Sequence, residues 1–330
     1  MVEHDHSELT PAEAELYDRQ IRLWGLENQK RLRNSKILIA GLNGLGAEIA
    51  KNIILGGVKS VTFLDHQIVT ENDFASNFLV PRDCLNKNRA ESSFSRAQAL
   101  NPMVEVKIDT GLLSDKGEDF FKLFDVVVIL ESTIAEQIRI NNICRANNIK
   151  FYATDMWGMF GFSFIDLQDH EFVEDVVKHK IISKPNEKIK TEIITTPSKR
   201  SLKYPSLESV INFDYNSPSF TKRMKKSGPA YLVMKILQNF REDEKRDPMP
   251  SSREEDINKL LAIRNGISSV EIVPDIYFEH VFAQISPSAA IVGGAVAHEV
   301  IKAVSQKEAP HFNYFFFDAN NSCGFIETIE

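Results

Sequence analysis

The chain has 330 residues, enough to bury a substantial core as one large domain with insertions or as two smaller domains. Its formal net charge of −7 argues against a wholesale nucleic-acid-binding surface. The polar start MVEHDHSELT, and the lack of an apolar run near the roughly 18–20 residues of a membrane span, predict neither a secretory signal nor a membrane role. Three widely spaced cysteines, Cys84, Cys144 and Cys323, suit neither a disulfide framework nor a CxxC zinc site, so reduced thiols, no metal site and a soluble intracellular chain are expected.

The first distinctive segment is Tyr17-Asp18-Arg19-Gln20-Ile21-Arg22-Leu23-Trp24-Gly25, a helix-forming run with Asp18 as its expected cap. Short β-branched runs at 36–40, 60–65, 104–109, 124–130 and 150–155 then alternate with amphipathic stretches. This alternation predicts a parallel sheet with crossover helices, a doubly wound α/β fold. Leu45, Ile49, Ile53 and Ile54 give the first crossover helix one apolar face, and Gly56-Gly57 stops it. A later helix is predicted over 135–147, with Cys144 facing the core.

At about Leu167 the sheet pattern breaks off. From 177 to 203 the chain carries eight Lys or Arg against two acidic residues, with Pro185 and Pro197 and no sustained periodicity, which predicts an exposed, flexible basic insertion. Helices resume with Val233, Ile236, Leu237 and Phe240 on one face, then Ile257, Leu260 and Leu261, as a small helical subdomain. A helix over 286–305 contains Gly293-Gly294, which suits close packing, and 314–318 and 324–329 read as closing strands. The expected layout is 1–175 for the first part of the main domain, 176–227 for the insertion, 228–283 for the helical subdomain and 284–330 for the segment that rejoins the main domain.

The turn Gly41-Leu42-Asn43-Gly44-Leu45-Gly46 follows the first strand and opens a helix, where glycines let backbone N–H groups approach a phosphate. Asp65, after the second strand, is placed to accept ribose hydroxyls. These residues fit an NAD-dependent oxidoreductase and an ATP-binding adenylating enzyme almost equally, and a glycine turn kept only for helix packing is the plainer alternative. Asn43 stands where a glycine would best admit phosphate. The catalytic histidine, lysine or tyrosine set of a dehydrogenase is not evident.

Taken together, Tyr17 to Gly25, the glycine turn with Ala47-Glu48-Ile49-Ala50-Lys51-Asn52, Phe78-Leu79-Val80, Asn88-Arg89-Ala90-Glu91, Leu100-Asn101-Pro102, Asp169-His170-Glu171-Phe172-Val173, Val292-Gly293-Gly294 and Phe315-Phe316-Phe317-Asp318 carry a resemblance. The chain resembles the ubiquitin-like-protein-activating enzymes of the ThiF/MoeB type, and within that family the smaller, Aos-type class of SUMO-activating subunits. The resemblance covers most of the chain outside the basic insertion.

The resemblance implies a ThiF-type Rossmann-like fold and a degenerate half of a two-part adenylation unit. The Arg-Gln pair that active halves use around the phosphates corresponds to Ser76-Asn77. The magnesium-supporting aspartate corresponds to Ser132, with Glu131 expected to point to the other side. Arg89 stands for a lysine. With Asn43 these are four departures, so Gly41, Gly44, Gly46 and Asp65 are expected as a vestigial nucleotide site, and ATP and magnesium are expected at the partner. That partner is implied to be the larger catalytic subunit, which also holds the thioester cysteine, with SUMO engaged through the complex. Arg19 is the implied catalytic residue, acting in trans on the partner's ATP phosphates through a permanently charged planar fork. Arg22 reads as a salt-bridge residue, and Tyr17 and Trp24 as interface packing. A nuclear location, shared with the cytoplasm, follows from the pathway, with Ser198-Lys199-Arg200 and the cluster at 221–226 read either as import signals or as solvated charge. The competing readings are the smaller subunit of a NEDD-type activating enzyme, normally much longer, and a homodimeric ThiF-like enzyme, against which Ser76 and Ser132 argue.

Overall fold

In Lys36–Ala40 (β1), Ile37 and Ile39 bury on one face and Leu38 and Ala40 on the other, as a central strand covered on both sides requires. The computed structural model describes residues 9–181, 191–212, 217, 228–268 and 270–329. Around β1 lie Ser60–Leu64 (β2), Glu105–Asp109 (β3), Val126–Ile129 (β4) and Lys150–Trp157 (β5), all parallel. Phe160–Asp166 (β6), Tyr314–Asp318 (β9) and Cys323–Glu327 (β10) extend the sheet antiparallel, giving the order β10-β9-β6-β5-β4-β1-β2-β3. Between β6 and β9, Asp169–Ile181 (β7) and Thr191–Lys203 (β8) pair with each other as a separate two-stranded ribbon.

Helices cover both faces. One side holds Leu26–Asn34 (α3), Gly44–Gly56 (α4), Arg89–Leu100 (α5) and Ser286–Ser305 (α12), with the predicted stripe of Leu45, Ile49, Ile53 and Ile54 buried there. Pro11–Leu16 (α1) and Asp18–Trp24 (α2) lead into α3. The opposite face is covered by Ile134–Ala146 (α7), Leu207–Ile211 (α8), Ala230–Glu244 (α9), Arg253–Ile267 (α10) and Ile276–Glu279 (α11); the short Glu118–Phe121 (α6) precedes β4. Val233, Ile236, Leu237 and Phe240 of α9 share one apolar cluster with Val127, Phe151 and Phe162 of the sheet. The helices expected as a small subdomain therefore form the cover of one sheet face.

Two expectations change. The segment read as an irregular basic insertion is, over 177–181 and 191–203, the β7–β8 ribbon, α8 also falls within the expected 176–227, and the boundary expected at 175/176 falls inside β7. The ribbon packs on the body at its root, where His170 and Phe172 are buried and Leu202 meets the core; farther out its described side chains are exposed or half-buried, and cross-strand charge pairs take over: Lys199–Glu171 at 2.7 Å and Arg200–Glu174 at 2.8 Å. Its root is held by Val173 N–H donating to the Gln306 carbonyl (2.9 Å) and by the Lys307–Asp175 pair (2.6 Å). Lys199 and Arg200 are thus ion-paired on β8, while the 221–226 cluster lies outside the described residues. Second, α12 has the length and apolarity of a membrane span, with mean hydropathy 1.2 over 18 residues, yet 61% of that window is buried inside the protein, as in a core helix. Gly293 lets it approach α4, since a Cβ there would stand 2.6 Å from the Glu48 Cβ.

Candidate functional site

The sheet reverses its winding between β1 and β4, and the crevice beyond the carboxyl ends of these strands is where an open α/β sheet binds ligands. A cavity of about 470 Å³ opens there, lined by Asn43, Gly44, Asp73, Ser76, Arg89 and Glu131 among others. The glycine turn keeps its backbone form. Gly41 adopts φ +98°, and a Cβ on Gly46 would stand 2.2 Å from the Gly41 carbonyl oxygen, so the helix can start tight against the strand.

The groups that would meet a nucleotide already have protein partners. Asn43 caps α4, its Oδ1 accepting from Gly46 N–H at 3.0 Å, and Leu45 N–H donates to Gln284 Oε1 at 3.2 Å. Ser76 lies over Gly44, where a Cβ would come within 2.1 Å of its Oγ. Asn77 braces the turn, donating to the Leu42 carbonyl at 2.7 Å. Asp65 accepts on Oδ2 from Leu42 N–H (2.7 Å) and Arg89 Nε (2.7 Å), and on Oδ1 from Gln67 N–H (2.9 Å). A ribose would have to compete with all three.

Arg89, at the start of α5, also pairs with Asp73 at 3.3 Å and with Glu131. Its side chain is only 6% exposed; burial opposes its charge, but Glu131, Asp65 and Asp73 more than offset this and hold it protonated. Burial pushes the Glu131 carboxyl above its usual range, with Arg89 pulling the other way. The expectation for Glu131 is corrected. At φ +53° it breaks the strand's alternation, so its carboxylate meets Arg89 at the crevice, while the Ser132 hydroxyl is buried. Asp155 supports this turn by accepting from Glu131 N–H at 2.8 Å, and bonds Arg241 Nη1 through its other oxygen at 2.6 Å. Arg241 in turn holds Asp247 at 2.8 Å. Asp73, Asp155, Arg241, Asp247 and Gln284 escaped the sequence reading because none belongs to the glycine motif and, the Arg241–Asp247 pair apart, the contacts join residues 16 or more positions apart.

Arg19 lies elsewhere. It is exposed on α2 and makes no hydrogen bond or ion pair with the described residues. Its neighbours grip the far end of α4: Tyr17 lies against Gly57, and Gln20 Nε2 donates to the Leu55 carbonyl at 3.1 Å. The crevice is at the other end of this 13-residue helix, roughly 18 Å away at 1.5 Å per residue, so Arg19 does not serve this chain's own crevice. Arg22 makes an exposed pair with Asp18 at 3.0 Å. Asp18 is not the cap it was expected to be, since Tyr17 occupies the N-cap position without a side-chain bond. Tyr17 is 3% exposed and its hydroxyl accepts from Asn101 Nδ2 at 2.8 Å, so it anchors α2 within the chain rather than packing against a partner. Trp24 is half-buried and donates to Gln29 Oε1 at 3.0 Å. Cys144 is buried, its thiol pushed up by desolvation and by Asp166; Cys84 and Cys323 are half-buried, the latter on β10.

The order of the sheet and the crevice at its switch point define a Rossmann-like α/β protein whose crevice groups are bonded to one another. A ThiF family model matches residues 17–329, and the chain belongs to that family. It is 41% identical over 344 residues to "SUMO-activating enzyme subunit 1" of Xenopus tropicalis, covering 100% of this chain and 99% of that protein. The human protein of the same name is 40% identical over 333 residues, covering 97% and 96%. Among solved structures, selenomethionine PaaA aligns with a TM-score of 0.59 at 15% identity, covering 100% of this chain and 77% of that one, a likeness of fold alone.

Proposed function

We propose that this chain is the smaller subunit of a two-chain SUMO-activating enzyme, with the working ATP and magnesium site and the thioester cysteine on a larger partner. Full-length similarity to proteins named SUMO-activating enzyme subunit 1 supports the class of enzyme. The observation that carries the division of labour is the state of the crevice's bonding groups: Asp65 is consumed by Arg89, Leu42 and Gln67, and the α4 N-terminus by Asn43 and Gln284. A nucleotide does not fit these residues as they stand, so no catalytic step passes through them.

In the complex, the modifier's terminal carboxylate attacks the α-phosphate of ATP, giving an acyl-adenylate and releasing pyrophosphate. Negative charge gathers on the phosphates as the bond to the leaving group breaks, and a cation delivered from outside the site lowers that barrier. Arg19 is the cation this chain offers. It is exposed, carries no partner among the described residues, and sits on a short helix fixed by Tyr17 and Gln20. The chain's location in the nucleus and cytoplasm belongs to the same proposal.

ATP–pyrophosphate exchange with the chain alone, the catalytic partner alone and the two mixed tests the reading. Exchange should need the mixture and SUMO. Exchange by this chain alone would contradict it.

A further inference from the structure

The crevice retains its glycine turn and about 470 Å³ of space, so its unsuitability for nucleotide does not come from collapse. Four side chains occupy the bonding positions instead. Gln284 reaches the turn from the loop before α12; its Oε1 takes the Leu45 N–H and its Nε2 donates to the Met156 carbonyl at 3.3 Å. Asn43 takes the Gly46 N–H, Ser76 lies over Gly44, and Arg89 takes the Asp65 oxygen that also receives Leu42 N–H. A free helix N-terminus favours an anionic oxygen, and here a neutral carboxamide oxygen stands in that place.

We infer that Gln284 and Arg89 are internal surrogates for a nucleoside triphosphate: Gln284 fills the phosphate position at the start of α4, Arg89 fills the ribose position on Asp65, and together they exclude ATP from an otherwise intact crevice. The inference deepens, and rests on, the reading of this chain as the inactive half. Gln284 is the more separable of the two. It is half-buried and neutral, so its removal strands no charge, whereas Arg89 neutralises three carboxylates. Because the competing bond is local, its loss should raise affinity for a phosphate group by roughly fivefold to tenfold.

The test follows the backbone amides of Leu42, Leu45 and Gly46 by NMR in the full chain during titration with ATP, with inorganic pyrophosphate as a second probe. In the wild-type chain these amides should show at most a partial, unsaturated drift up to about 10 mM ATP, as for a Kd of roughly 10–20 mM, which a fivefold to tenfold gain brings within reach of saturation. In Gln284→Ala the Leu45 amide should move saturably with either probe, and in the double variant Gln284→Ala with Arg89→Lys the Leu42 amide should move with ATP but not with pyrophosphate. Saturable movement of Leu45 in the wild-type chain would overturn the inference, as would a still Leu45 amide in folded Gln284→Ala. Either result leaves exchange by the wild-type two-chain complex unchanged, so failure here is distinguishable from failure of the proposed function.

Discussion

Arg89 Nε lies 2.7 Å from Asp65 Oδ2, tying the start of α5 to the end of β2 at the point where a nucleotide ribose would bind. The same guanidinium neutralises Asp73 and Glu131, so its removal leaves two buried carboxylates, Asp65 and Asp73, gathered beside the part-exposed Glu131. Arg89→Ala should lower stability to urea by about 3–5 kcal/mol, the usual cost of breaking a buried pair from one side. A loss below about 1 kcal/mol in equilibrium unfolding would show that the network is solvated and contributes little.

Tyr17 places the Arg19 helix on the body of the protein. Its ring lies on Gly57, where a Cβ would come within 2.5 Å of the Cζ, and its hydroxyl accepts from Asn101. Tyr17→Phe should cost about 1 kcal/mol, the net worth of one hydrogen bond, and Tyr17→Ala about 3–5 kcal/mol. Limited proteolysis should cut near α2 faster in Tyr17→Ala than in Tyr17→Phe.

Two adjacent glycines on α12 should behave oppositely. At Gly293 an added Cβ would stand 2.6 Å from the Glu48 Cβ, whereas at Gly294 nothing lies within 4 Å. Gly293→Ala should destabilise by about 1–3 kcal/mol through overpacking, and Gly294→Ala should be neutral or stabilise by up to about 1 kcal/mol through helix propensity. Urea midpoints of the two variants provide the comparison.

His170 gives the acid side of the stability curve a defined contribution. Burial first, and Lys150 second, hold its imidazole down to about 4, against an ordinary value of 6.5. Between these values the unfolded chain binds the extra proton, so stability rises with pH across this window and is lost as pH falls from 6.5 toward 4. The full effect is at most about 3 kcal/mol. His170→Phe, which keeps a ring against Phe172, should flatten that arm in the difference between the two pH–stability curves.

Much of the fold was legible because its central strands alternate between two buried faces and its crossover helices carry long apolar stripes. β1 and α12 fall where the periodicity put them; Ser76 and Arg89, singled out by resemblance alone, line the crevice, and Asn77 bonds its glycine turn. β7 and β8 were hidden because only their root, at His170, Phe172 and Leu202, meets the core, and the rest of the ribbon needs no apolar alternation. The direction of Glu131 was hidden for a different reason: its left-handed backbone departs from strand geometry, and the partners that hold it there, Asp155 from β5 and Arg89 from α5, are distant in the sequence. Gln284 could not be read at all, since 239 positions separate it from the Leu45 amide it fills.

Arg19 is the residue on which the proposed division of labour turns, and ATP–pyrophosphate exchange by the reconstituted two-chain enzyme measures its contribution most directly. Arg19 is exposed and unpartnered among the described residues, so Arg19→Ala should leave the chain's unfolding midpoint and its assembly with the partner unchanged. Exchange should fall by about a hundredfold or more, as when a charge-stabilising donor is withdrawn from a transition state, and Arg19→Lys should recover only part of it. Undiminished exchange by an intact Arg19→Ala complex would contradict the assignment of Arg19 to the partner's phosphates.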